Sequence, residues 1–151
     1  MGASAWEYFV PYQKDLNQAL QDLRQRVFRA GEFWWFGERE VLTPSERLPR
    51  PGRLEDVFEH ETVQESGTHS ILDVFRVVEP GEPRDWRDYG TIIPATVDEV
   101  RAATGTDRPT RADAAALDEK LDRVRWVGRC AVLYDEHGGP SEIMFWGHSG
   151  D

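Results

Sequence analysis

The sequence predicts an α+β fold: a mainly antiparallel sheet with helices packed on one side, closed by a C-terminal β-hairpin. Three observations predict it. The N-terminal segment alternates aromatic residues and then turns into a capped amphipathic helix. Two further helix starts, each with its own capping residues, lie between positions 96 and 124. The final stretch reads as two strands around one concentrated turn.

The first strand is "WEYFVPY", where Trp6, Tyr8, Val10 and Tyr12 share a face and Pro11 implies a strand end or sheet edge. Asp15 then caps a helix, with Gln18 as its capping-box partner. Leu16, Ala19, Leu20, Leu23 and Val27 form the apolar stripe, and Gly31 is the stop. "EFWWFG" places Phe33, Trp34, Trp35 and Phe36 on both faces of an extended segment, as at a buried sheet centre. Thr43 to Arg53 holds three prolines and a glycine and reads as an irregular extended connector. "LEDVFEHETV" reads as a short acidic helix with Leu54, Val57 and Phe58 facing inward.

"SILDVFRVV" is rich in β-branched and aromatic residues and apolar on both faces, so it reads as an internal strand. "EPGEPRDWRDYGT" is a loop that sets Trp86 and Tyr89 among charges. The Thr96–Glu99 capping box opens a short helix that ends near Gly105. A further helix starts at Thr110, with Asp113 in third position and an inner stripe of Ala114, Leu117, Leu121 and Val124. In the hairpin, turn chemistry concentrates in "DEHGGP". Setting Tyr134 opposite Ser141 pairs Cys130 with Phe145, Val132 with Ile143, Ala131 with Met144, Arg129 with Trp146 and Val127 with His148. The order is β-α-(β)-α-β-(β)-α-α-β-β, the bracketed strands being optional. No internal repeat or domain boundary interrupts residues 1–151, which read as one domain.

Composition narrows function by exclusion. With 28 acidic and 18 basic residues the net charge is −10, which repels phosphate backbones and anionic membranes and suits a basic partner. The acids cluster: Glu55, Asp56, Glu59, Glu61, Glu65 and Asp73 follow one another with no Lys or Arg between Arg53 and Arg76. A lone cysteine, Cys130, excludes an intramolecular disulfide and a multi-cysteine metal site, and its place on an apolar hairpin face reads as a small buried side chain. No apolar run approaches the ~20 residues of a membrane span. "MGASAWEYFV" lacks a secretory pattern, and Trp6 occupies the position where myristoylation wants Ser or Thr. These features suggest a cytoplasmic protein.

Candidate chemistry centres on "GTHSILDV". As a strand, it holds His69 and Asp73 about 13 Å apart, at ~3.3 Å per residue, too far for a dyad. His69 still offers a titratable imidazole, and with Ser70 and a folded-in His148 it forms a candidate catalytic set. "HETVQ" falls short of a zinc-protease helix because Gln64 stands where the second histidine ligand is needed. "GHSGD" sets His148, Ser149 and Asp151 together at a chain end. No phosphate-binding glycine loop is present, and neither a cofactor nor a metal is expected.

Two main readings result. In one, the chain is a protein-binding or inhibitory module, acting as an immunity protein covers a toxin, with Glu59, Glu61, Glu65, Trp86 and Tyr89 meeting a basic partner. In the other, it is a small metal-independent enzyme or ligand-binding protein with a pocket around His69. A structural subunit of a larger assembly is a third, plainer possibility.

Overall fold

The computed structural model describes residues 3–150. Strand β1 (Ala5–Pro11) leads into helix α1 (Leu16–Ala30). The Asp15 carboxylate accepts the Gln18 amide at 3.0 Å, and Gly31 ends the helix with φ 69°. The reciprocal half of this capping box is missing, because the Gln18 side chain donates to Asp22. Helix α2 (Glu61–Ser66), strands β2 (Arg76–Val77) and β3 (Thr91–Pro94), and helices α3 (Val97–Thr104) and α4 (Ala114–Lys120) follow. The chain closes with β4 (Val127–Tyr134) and β5 (Pro140–His148).

The five strands form one sheet in the order β1-β5-β4-β3-β2. It is mixed rather than mainly antiparallel: β1, β5 and β4 pair antiparallel, whereas β4, β3 and β2 run parallel. Parallel neighbours need a long crossover, and α3 with α4 supplies it between β3 and β4. Both sheet faces are therefore covered, not one. Leu20, Leu23 and Val27 of α1 pack with Ile92, Cys130, Ile143 and Phe145. On the other face, Val100, Ala103, Leu117 and Leu121 pack with Ala131, Leu133, Met144 and Trp146.

The hairpin register follows the sequence reading for four pairs, Arg129–Trp146, Cys130–Phe145, Ala131–Met144 and Val132–Ile143. A shift near the turn then sets Tyr134 opposite Pro140 instead of Ser141. The Trp6 indole lies across this hairpin where Gly128 and Gly147 face it, and a Cβ at either position would collide with the ring.

Four segments depart from expectation. "EFWWFG" is no strand; its rings diverge to separate partners, and Phe36–Glu38 forms a 3-10 turn. Phe33 stacks on Phe28, Trp35 donates its indole N–H to Leu48, and Trp34 stacks on His69. The acidic segment divides at His60 into a 3-10 turn, Leu54–Glu59, and α2. "SILDVFRVV" is not an internal strand. The Ser70 hydroxyl accepts the Leu72 amide and starts a 3-10 turn at Ile71–Asp73, so only Arg76–Val77 reaches the sheet, at its edge. The helix expected from Thr110 opens as a 3-10 turn and ends at Lys120.

Candidate functional site

The "GTHSILDV" loop folds around Asp73, which is completely buried. Its carboxylate accepts the Thr68 amide at 2.6 Å, the Thr68 hydroxyl at 2.7 Å and the Ser149 hydroxyl at 2.7 Å. Since Thr68 gives its only hydroxyl proton to Asp73, Ser70 must donate across the 2.7 Å Thr68–Ser70 contact. The hydroxyls thus all point toward the acid. Burial pushes the Asp73 carboxyl above its ordinary pKa, against the pull of the Ser149 and Thr68 hydrogen bonds. Gly67 is required here, because it sits at φ 77° and a Cβ would meet Asp73 at 2.6 Å.

His69 is half-buried at φ 55° and stacks on Trp34 with centroids 4.7 Å apart. The chain curls here instead of extending, so its imidazole lies near enough to act electrostatically on Asp73. Ser70 is buried and engaged in the turn. His148 closes β5, opposite Ala5, and its carbonyl accepts the Trp126 amide. In "GHSGD", Ser149 is buried and tied to Asp73, while Asp151 lies outside the described residues. Sequence reasoning passed over this Ser149–Asp73 bond, which spans 76 residues of chain.

The bond closes a ring. The Phe75 amide donates to Gly90, the Gly90 amide to Trp126 and the Trp126 amide to His148, and Ser149 returns to Asp73. Trp126, at φ 67°, carries its indole against Gly150. Aromatic side chains project from or beside this ring. Phe58, Phe75, Tyr89 and Trp126 wall a notch of about 230 Å³, which Gln64, Asp73 and Gly90 complete. Phe58 meets Phe75 and Trp126 edge-on. Tyr89 is 63% exposed and Phe75 43%.

The segment that carries the acidic run reaches this notch, with Asp73 as the one acid in its lining. Phe58 and Gln64 line it, and Glu59, Glu61 and Glu65 beside them are exposed. On α2, Glu61 shares a face with Gln64 one turn on. Among the described residues none of the three glutamates forms an ion pair, unlike Asp56, which Arg53 holds at 3.0 Å.

Trp86 goes elsewhere. It is half-buried against Val78, Ile93 and Val127, with the guanidinium groups of Arg129 and Arg84 at 5.2 and 5.9 Å from its ring. Arg129 is buried, grips Glu99 through two bonds of 3.0 and 2.8 Å, and donates to the Ile93 carbonyl. Arg84 reaches the same carboxylate at 2.6 Å. Burial works to raise the Glu99 pKa, but the Thr96 amide and the two arginines outweigh it and hold the group at about 2.

A larger cleft of about 590 Å³ opens where β2 and β3 end, between Lys14 and Arg84. Asp15, Glu79 and Glu82 share its lining, and Arg84 is already committed to Glu99. Among the described residues, no group of three or more His, Cys, Asp or Glu side chains is placed to hold a metal ion. No helix there is long and apolar enough to cross a membrane. The chain matches no family model, no curated protein and no solved structure.

Proposed function

We propose that this protein is a binding or inhibitory module, immunity-like in manner, that docks a basic protein partner. One observation carries the reading: the acidic segment 54–65 and the loop ending at Tyr89, far apart in sequence, converge on a single exposed aromatic notch. Interfaces concentrate binding energy in such aromatic anchors, while charges at the rim steer the partner and set salt dependence. Glu59, Glu61 and Glu65 supply the rim, and Tyr89 with Phe75 supplies the anchor. Trp86 supports the loop from below instead of meeting the partner.

A catalytic reading around His69, Ser70 and His148 has less behind it. The Ser70 hydroxyl is engaged by Thr68 and by the Leu72 amide, and it is buried from any substrate.

The test is capture from the host lysate with the tagged protein and with a variant carrying Glu59→Lys, Glu61→Lys and Glu65→Lys. A basic protein retained at moderate salt by the first should bind the variant at least about tenfold more weakly. If its affinity and salt dependence are the same for both, the acidic face is not the interface and the reading fails.

A further inference from the structure

We infer that the notch walled by Phe58, Phe75, Tyr89 and Trp126 takes an arginine side chain of the partner. This rests on the reading of the protein as a module for a basic partner. The notch is small, about 230 Å³, and apolar on its walls, so it suits one side chain rather than a segment of backbone. Asp73 lies in its lining, and the exposed Glu59, Glu61 and Glu65 belong to the segment that supplies Phe58 and Gln64, so the local charge favours a cation. Aromatic walls discriminate among cations. A guanidinium is planar and weakly hydrated and stacks on rings, whereas an ammonium is a strongly hydrated point charge.

The protein already uses this contact internally: Arg111 lies 3.5 Å from the Phe9 ring centre and Arg50 4.4 Å from that of Phe33. Arg24 approaches Phe75 at 5.1 Å but does not line the notch, and Glu55 acts on its charge. The walls are also set in advance. The ring of bonds through Phe75, Gly90, Trp126 and His148, closed by Ser149 on Asp73, fixes three of the four segments that carry them. Binding then orders little of the notch, which favours affinity.

The probes are fluorescein-labelled hexa-arginine and hexa-lysine, followed by anisotropy at low salt. Hexa-arginine should bind about fivefold more tightly than hexa-lysine, the scale of a partly desolvated cation–π contact. Tyr89→Ala removes an exposed ring with little packing, and it should erase that difference by weakening hexa-arginine about fivefold more than hexa-lysine; Phe75→Ala should do the same. The triple glutamate reversal should weaken both peptides. Equal binding of the two peptides, or a preference that survives Tyr89→Ala, overturns the arginine pocket and leaves the basic-partner reading standing. Failure of both peptides to bind, or binding indifferent to the triple reversal, overturns the two together.

Discussion

Glu99 serves three groups at once. It accepts the Thr96 amide at the start of α3, grips the buried Arg129 through both oxygens, and takes a further bond from Arg84. Removing one partner of a buried ion pair leaves the other charge uncompensated, which costs about 3–5 kcal/mol. Arg129 is buried but the Glu99 side chain is 28% exposed, so water screens part of that cost, and Glu99→Gln should destabilise the protein by about 2–3 kcal/mol in urea unfolding. A loss under about 1 kcal/mol would mean that the pair behaves as an exposed one. The pH dependence has a definite sign. A carboxylate held at about 2 instead of its ordinary 4.5 contributes stability above pH 4.5, and that contribution fades as pH falls toward about 2. The variant should lose this part of the acid sensitivity. The capping role of Glu99 was legible from Thr96 three residues earlier, whereas its pairing with Arg129 depends on the fold, 30 residues on. The same limit applies to Asp73, whose partner Ser149 lies near the far end of the chain.

Helix boundaries were the legible elements because their signals are local. Asp15, Thr96 and Gly31 act on amides and carbonyls within one turn, and each does so in the structure. The stretch 70–78 misled because β-branched and aromatic residues report a fit to a half-buried surface, not the backbone path. Ile71, Leu72 and Val74 are fully buried as that composition implies, yet the Ser70 cap and the Asp73 bonds curl the chain into a turn. "EFWWFG" misled in the same way, its buried rings serving separate neighbours. A local signal also gives a local cost. Thr96→Ala removes the bond to the Glu99 amide and should lower stability by about 1 kcal/mol, measured by urea unfolding. Because Glu99 belongs to both the cap and the Arg129 pair, Thr96→Ala with Glu99→Gln should cost less than the sum of the two single changes. Strict additivity would separate the cap from the ion pair.

At the scale of the molecule, the sequence showed the hairpin but not what lies beyond it. The alternating residues of β4 and β5 define their register, whereas β3 offers only four residues and pairs in parallel through a crossover of two helices. That pairing makes β4 the middle strand, with Cys130 flanked by Pro94 on one side and Phe145 on the other. Cys130 is 1% exposed beneath α1, and burial pushes its thiol pKa up to about 12. Reaching it requires separating α1 from the sheet or β3 from β4, and either opening breaches the apolar cluster that joins α1 to all five strands. A thiol reagent at neutral pH should therefore modify Cys130 only through global unfolding. Its rate should match that of the slowest-exchanging amides of β4 and β5 and rise with urea at the full unfolding slope. Rapid labelling with no urea dependence would mean that the antiparallel half, β1-β5-β4, and the parallel edge, β3-β2, come apart separately. The chain would then unfold as two cooperative units, and the notch, which takes Phe75 and Tyr89 from beside β2 and β3 and Trp126 from beside β4, would open with their separation.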